Sequence, residues 1–260
     1  YPKSIILWRM GGLHKNASEY QASISRFAKA LETINVYLQE YSEDKNAQRV
    51  KKLIEMSRVD ALVKVDKNEA KEALAGLVEE RRKRSIALPD DLIAQRDYAN
   101  ILQRAADEEL TDGQASKAAA KFRNARDIYK TLVEQDPENG QAPRDLAWSE
   151  YFLGKSMIKD GDVSLGIDRV EVGLILVQKC CIASPNDARS RKNVLLYTGL
   201  YVKLSEDFGQ LQRAEPIVRN LLVSIQPVVE QNPDNYALAE LFSNLETVHQ
   251  EVKQKIVSAE

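Results

Sequence analysis

The sequence predicts an all-α protein, a solenoid of antiparallel helix pairs with long helices. Three observations predict this fold class: four prolines recur at one interval, three glycines lie halfway between them, and small residues keep the same register. The prolines, whose numbers rise by a constant 48, are Pro89, Pro137, Pro185 and Pro233. Because the chain has only eight prolines, this spacing indicates an array of repeats, in which each repeat packs on its neighbours.

Glycines divide each repeat into two helices. Gly113, Gly161 and Gly209 each lie half an interval beyond a repeat proline. Glycine suits the end of a helix because it accepts a left-handed backbone conformation. The proline, with its preset φ, and a following Asp or Asn suit the start of the next helix, where the side-chain oxygen can cap free amides. Each repeat is therefore predicted as helix, turn, helix, turn.

Small residues indicate where the two helices of a repeat approach each other. Ala106 and Gly154 on first helices are followed, twelve residues later, by Ala118 and Gly166 on second helices. Positions four and then three residues further lie on the same face of the second helix. In successive repeats these positions hold Phe122 and Ala125, Val170 and Gly173, Val218 and Leu221. One residue out of step, the pattern recurs near the N-terminus at Gly11, Ser23, Phe27 and Ala30.

This order of small and large residues resembles the tetratricopeptide repeat (TPR). The segment FLGKSMIKDGDVSLGIDRV, residues 152–170, is similar to the helix–turn–helix core of that family. The resemblance covers essentially the whole chain and implies a right-handed superhelix. The chain departs from the family in having a longer repeat, because an ordinary TPR has about 34 residues. We expect the extra residues to lengthen the helices at the proline turns, which widens one edge of the array.

The long repeat is typical of one group within the TPR family. The segments RDYA, residues 96–99, and RDLA, residues 144–147, both lie in the lengthened part of a first helix. They are similar to long-repeat TPR arrays of multidomain bacterial signalling proteins. Since the chain begins with Tyr1 rather than Met, we expect it to be part of a longer protein.

The predicted boundaries give one solenoid domain of residues 1–260. Its first repeat has a shortened first helix, and a single helix follows the last full repeat. The repeats span approximately 1–41, 42–88, 89–136, 137–184 and 185–232, with the final helix at 233–260. In the last full repeat, Pro227 is expected to bend or break the second helix, because an interior proline removes a hydrogen bond and clashes with the preceding turn.

The composition argues against several classes of function. The net charge of −2, from 37 basic and 39 acidic residues, disfavours nucleic acid as the main partner. No run of 18 apolar residues could span a membrane. His14 and His249 are too few for a metal or histidine-based catalytic site, so we expect no cofactor and no enzyme. The adjacent Cys180 and Cys181 favour a reducing compartment such as the cytoplasm without establishing it.

Two short motifs have a structural explanation. GKS, residues 154–156, ends like a phosphate-binding loop, but Ser149 stands where that motif requires glycine and the segment is predicted in mid-helix. Close helix packing explains Gly154 better.

RRKR, residues 81–84, is expected to be a solvated last turn that complements the helix dipole. A phosphate-binding or targeting patch remains the alternative.

The resemblance implies that a partner binds in the concave groove lined by first helices. Trp148 and Tyr151 beside Lys155 would form an aromatic anchor next to a cation, as in many binding hot spots. The alternative is that Trp148 packs between repeats. Asp107 and Glu251 argue against a carboxylate clamp, for which only Lys155 and Lys203 fit. The groove positions are Asn100, Gln103, Asp107, Trp148, Tyr151, Lys155, Gly199, Lys203, Asn244, Thr247 and Glu251.

Three functions remain open on the sequence. The favoured one is a non-catalytic scaffold or regulatory module of a bacterial signalling protein, with a peptide or protein partner in the groove. The second is a peptide or small-molecule sensor whose ligand closes the superhelix. The third is self-association through the widened edge at the proline turns.

Overall fold

The computed structural model describes residues 1–137 and 139–259, which form eleven helices and no strand. The predicted all-α, helical-repeat fold class is therefore confirmed. The chain divides into two compact units, Tyr1–Glu80 and Arg81–Glu260, called here the N-terminal and C-terminal units. Glu138 in the repeat predicted at 137–184, and Glu260 at the end of the predicted final helix, lie outside the described residues.

The helices follow one another with short turns. In chain order they are α1 Pro2–Asn16, α2 Tyr20–Glu40, α3 Lys45–Leu62, α4 Lys67–Ala87, α5 Leu92–Thr111, α6 Ala115–Gln135, α7 Gln141–Lys159, α8 Val163–Ala183, α9 Ala188–Asp207, α10 Leu211–Gln231 and α11 Tyr236–Ala259. The helix α1 has 15 residues and α5 has 20. Within the C-terminal unit each helix from α5 to α9 packs against the next, and α10 packs against α9 and α11.

The mid-repeat glycines end helices as predicted. Gly113, Gly161 and Gly209 have φ angles of 77°, 103° and 66°. At the α7–α8 turn the Gly161 amide donates to the Ile158 carbonyl at 3.2 Å, and the Asp162 amide donates to the Met157 carbonyl at 2.9 Å. These two bonds satisfy carbonyls that the end of the helix leaves unpaired, in the manner of a Schellman motif.

Asp or Asn residues near three of the repeat prolines cap the following helix, whereas α7 has Gly140 at its N-cap. Asp91 accepts hydrogen bonds from the amides of Ile93 at 2.8 Å and Ala94 at 3.2 Å, and Asp187 does the same for α9. The prolines themselves lie in the turns: Pro89 precedes the first residue of α5 by three positions. The predicted capping by Asp91 and Asp187 is confirmed, and the proline lies in the turn before the N-cap residue.

Glycines permit the close approach of paired helices. A Cβ atom on Gly154 would lie 2.5 Å from the Gly166 carbonyl oxygen, and one on Gly166 would lie 2.8 Å from the Gly154 carbonyl oxygen. The glycine of the GKS motif is thus explained by contact between α7 and α8. In the N-terminal unit the Ser23 hydroxyl donates to the Gly11 carbonyl at 2.9 Å. The shifted pattern near the N-terminus therefore also marks a contact between paired helices, here α1 and α2.

The helix α10 continues through both of its prolines. It runs from Leu211 to Gln231 with Pro216 and Pro227 inside, so the expected break at Pro227 does not occur. Proline at position 227 deprives the Val223 carbonyl of its helical donor. Val223 is 64% exposed, and water can therefore replace that donor at small cost to the helix.

The basic segment near the end of α4 is only partly solvated. Arg82 and Lys83 are exposed, but Arg81 is 7% exposed and Ser85, one turn later on the same face, is 6% exposed. The expected fully solvated turn is therefore wrong for Arg81. Helical periodicity explains the difference, because one residue in each turn of this helix points toward the core.

Each compact unit has its own apolar core. Phe27, Ile34 and Ile54 are fully buried in the N-terminal unit. A larger cluster in the C-terminal unit runs from Ala147 on α7 to Leu245 on α11. Among the helices that the structure describes, none combines the length and the apolar character needed to cross a membrane.

Candidate partner-binding surface

Helix α7 carries the aromatic centre of the predicted groove. The Trp148 ring lies 4.2 Å from the Phe152 ring between centroids, and it meets Phe122 edge-on at 5.6 Å. Phe122 on α6 is fully buried, whereas Trp148 and Phe152 are half-buried. One side of the Trp148 ring therefore packs between α6 and α7, and the rest of its surface is accessible to solvent.

Tyr151 lies in the core. Its ring stacks on Tyr197 of α9 with a centroid distance of 3.9 Å and an interplanar angle of 14°. Tyr151 is 4% exposed and Tyr197 is 1% exposed. Burial raises the pKa of Tyr151 to about 12. The ring that was expected to anchor a partner instead fills the space between α7 and α9.

Gln103 also belongs to the interior. Its amide nitrogen donates to the Ser149 hydroxyl at 2.7 Å and to the Asp145 carbonyl at 3.1 Å. These bonds link α5 to α7 and leave the side chain 8% exposed. Asn100 is exposed, and its side-chain oxygen accepts a hydrogen bond from the Tyr129 hydroxyl at 2.7 Å. Of these two predicted positions, only Asn100 is open to a partner.

Lys155 lies over the aromatic centre. Its ammonium nitrogen is 5.0 Å from the centroid of the Phe152 ring and 5.8 Å from that of Tyr151. Burial lowers the pKa of Lys155, the nearby Lys159 lowers it further, and Asp107 acts in the opposite direction. Lys203 on α9 is exposed. Within the described part of the chain, neither lysine forms an ion pair with a carboxylate.

The outer positions of the predicted groove are polar. Asp107 lies 3.6 Å from Arg104, and the side chains of α11 at Asn244, Thr247 and Glu251 are exposed. Glu251 lines an open cavity of about 720 Å³ at the α9–α10 turn. The cavity also contains the 2.6 Å ion pair between Lys255 and Glu206, which joins α11 to α9.

Gly199 is the one groove position without a side chain. It lies inside α9, is exposed, and a Cβ atom there would meet no heavy atom within 4 Å. A glycine in a helix interior costs about 0.5–1 kcal/mol relative to alanine. At Gly154 and Gly173 contact with a neighbouring helix requires the glycine, but at Gly199 no such contact exists.

The predicted list omitted two residues of this surface. Phe152 supports both Trp148 and Lys155, and Leu196 on α9 is 51% exposed. Leu196 on α9 lies one repeat of 48 residues after Trp148 on α7. The repeat spacing could therefore have identified Leu196 as part of this surface. The surface called here the α7–α9 face consists of Trp148, Phe152, Lys155, Leu196, Gly199 and Lys203.

The α7–α9 face combines aromatic contact area with positive charge. An aromatic shelf beside cations suits apolar and acidic side chains of a partner. Over residues 1–137 and 139–259, no group of three or more His, Cys, Asp or Glu side chains could hold a metal ion. Burial raises the pKa of Cys180 and raises that of Cys181 to about 11, which keeps both thiols protonated near neutral pH.

Comparison with known proteins gives a likeness of fold. No protein-family model matches the sequence, and no curated protein matches it. The apo form of RapI is similar in structure, with a TM-score of 0.55 and 12% identity over 99% of this chain and 85% of that chain. The designed helical repeat protein DHR64 has a TM-score of 0.43 and 12% identity, covering 74% of this chain and 97% of its own. The likeness to RapI shows a shared helical-repeat fold.

Proposed function

We propose that the chain is a non-catalytic interaction module that binds a peptide or protein segment on the α7–α9 face. The observation that carries the proposal is that Lys155 and Lys203, which have no carboxylate partner in the described chain, occupy equivalent positions 48 residues apart on α7 and α9. By the same spacing, the half-buried Trp148 on α7 and the exposed, unpacked Gly199 on α9 belong to the same side. A glycine at such a place lets a partner backbone approach the helix closely. Trp148 supplies apolar contact area, and Lys155 and Lys203 supply charge.

The module is proposed to consist of TPR-like repeats that are longer than the ordinary unit. The bounds of the second helices support the longer repeat: α4, α6, α8 and α10 begin at residues 67, 115, 163 and 211, a constant spacing of 48. All four have 21 residues. The resemblance of such long repeats to arrays in bacterial signalling proteins leads us to propose a regulatory role in a protein of that kind.

A substitution at Gly199 tests the proposal without weakening the fold. Gly199→Leu adds a side chain where the chain leaves space and improves helix propensity by about 0.5–1 kcal/mol. We expect this variant to unfold at the same or a higher temperature and to lose its partner. The partner is captured from a lysate on wild-type protein, identified by mass spectrometry, and its affinity is then measured with purified components.

The matched control is Gly76→Leu. Gly76 is likewise exposed inside a helix, α4, and a Cβ atom there would also meet nothing within 4 Å. We expect Gly76→Leu to bind the partner like wild type, and Lys155→Ala and Lys203→Ala each to weaken binding about tenfold, the loss of one charged contact. Equal binding by wild type and Gly199→Leu would refute the α7–α9 face as the binding surface.

A further inference from the structure

The outward side of α8 carries an apolar stripe that the core does not use. Its inward side, which includes Gly166, Val170 and Gly173, is buried. On the outward side, positions separated by alternating intervals of three and four residues form one line along the helix. They are Leu165, Asp168, Val172, Ile175, Lys179 and Ile182, called here the α8 stripe. Leu165 is 56% exposed and Val172 is 37% exposed, while Ile175 and Ile182 are half-buried.

The neighbouring second helices do not share this stripe. On α6 the six corresponding residues are Lys117, Ala120, Asn124, Asp127, Thr131 and Glu134. On α10 they are Arg213, Pro216, Asn220, Val223, Pro227 and Glu230. Packing between repeats is common to all three helices, so it does not explain why, of these three, only α8 has four large or β-branched apolar residues on this side, two of them exposed and two half-buried. The stripe therefore indicates a contact particular to α8.

The order of residues in the stripe is self-complementary. When the stripe is laid against a reversed copy of itself, Leu165 meets Ile182, Val172 meets Ile175, and Asp168 meets Lys179. Alternating intervals of three and four residues, which add up to a seven-residue repeat, are those of helices that pair along a seam. An antiparallel pair of α8 helices would thus bring apolar residues together at four places and opposite charges together at two.

We propose that the α8 stripe is the interface of a homodimer, in which α8 of a second copy lies antiparallel across a twofold axis. The axis passes between Val172 and Ile175, so each copy contributes the same residues, as in an isologous interface. The charges are placed for this contact. Lys179 is exposed and forms no ion pair within the described chain. Asp168 binds Arg213 at 2.7 Å, yet its side chain is 46% exposed and can also accept Lys179 of the second copy.

A second copy fits the stripe better than an unrelated partner. An unrelated apolar segment would require apolar residues on α8, but it would not require the acidic and basic positions to be equidistant from the centre of the stripe. Twofold symmetry does require that arrangement, because each Asp168 must then face a Lys179. This surface lies on the outward side of α8 and is distinct from both the α7–α9 face and the proline turns.

Sedimentation equilibrium of the whole chain over a range of concentrations tests the proposal. We expect wild type to dimerise reversibly. Lys179→Glu places two Glu–Asp contacts in the dimer, and Asp168→Lys places two Lys–Lys contacts there. Each variant alone should raise the dimer dissociation constant at least about tenfold. An equimolar mixture of the two variants should regain dimers, because every contact in the mixed dimer then unites opposite charges.

Two further variants separate this interface from general effects of charge. Lys130→Glu alters an exposed lysine on α6 outside the stripe and should dimerise like wild type. Val172→Glu should abolish the dimer while thermal unfolding by circular dichroism remains cooperative. The proposal is overturned by a wild-type monomer at every concentration, by a dimer that Lys179→Glu leaves intact, or by failure of the mixture to regain dimers.

Discussion

The guanidinium group of Arg144 on α7 donates a hydrogen bond of 2.7 Å to the carboxylate of Asp187, the residue that caps α9. The same carboxylate accepts bonds from the Arg189 amide at 3.2 Å and from the Ser190 hydroxyl at 2.6 Å. One side chain thus starts α9 and ties it to α7. Because both partners of the ion pair are largely shielded from solvent, the contact should contribute more than an exposed surface pair.

Asp187→Asn is predicted to lower stability in a pH-dependent manner. Although burial acts in the opposite direction, the hydrogen bonds from Ser190 and Arg144 lower the pKa of Asp187 to about 2. The unfolded value is near 3.9, so the stabilisation is complete above about pH 4 and is lost as the pH falls through about 2. At pH 7 the substitution should reduce the free energy of unfolding by about 1–2 kcal/mol.

Urea unfolding at pH 7, 4 and 2.5 measures this effect. The difference between wild type and Asp187→Asn should shrink as the pH falls. Asp90→Asn is the control, because Asp90 is an exposed carboxylate in an equivalent turn and should change stability little at any pH. A constant difference between Asp187→Asn and wild type across the three pH values would contradict the assigned role.

Two buried tyrosines are predicted to respond oppositely to loss of their hydroxyl groups. The Tyr201 hydroxyl donates to Glu171 at 2.6 Å, whereas the buried Tyr197 hydroxyl has no hydrogen-bond partner in the described chain. Tyr201→Phe should lower the free energy of unfolding by about 1–3 kcal/mol, and Tyr197→Phe should leave it unchanged or raise it slightly. Chemical denaturation of the two variants checks the sign of each change, and each serves as the control for the other.

Alanine at two helix-interior glycines is predicted to have opposite effects. In Gly154→Ala the new Cβ would lie 2.5 Å from the Gly166 carbonyl oxygen and 2.8 Å from the Val170 amide nitrogen. These are backbone atoms that cannot rotate away, so α7 and α8 must separate, and we expect a loss of about 1–3 kcal/mol. Gly199→Ala meets nothing and should gain about 0.5–1 kcal/mol. Thermal unfolding of both variants would disprove the packing argument if their melting temperatures moved in the same direction.

The recurring glycines and the spacing of small residues in the sequence predicted much of the fold. Glycine at 113, 161 and 209 gives the turn positions because few other residues accept a positive φ. The twelve-residue interval between Gly154 and Gly166 gives the close approach of α7 and α8, because their backbones touch only where side chains are absent. These are local properties of the chain, and local properties are readable from residue order.

The candidate binding surface was less predictable for a physical reason. A helical period identifies the side of α7 that holds Trp148, Tyr151 and Lys155, but these residues lie near the border between that side and the core. Rotation of α7 against α9 decides which of them a neighbour covers, and the stacking on Tyr197 buries Tyr151. The helix α10 continues through Pro227 because Val223 is exposed to water, and this exposure cannot be deduced from the sequence.

By itself, the sequence determined that this protein is all-helical, where its helices turn, and which small residues lie between paired helices. Only the tertiary structure decided that Lys155 and Lys203 have no carboxylate partner in the described chain, that Gly199 is open, and that Asp187 joins α7 to α9. The division follows from distance along the chain. Turns and caps depend on residues a few positions apart, whereas the burial of Tyr151 by Tyr197 and the Arg144–Asp187 ion pair depend on contacts between residues more than forty positions apart.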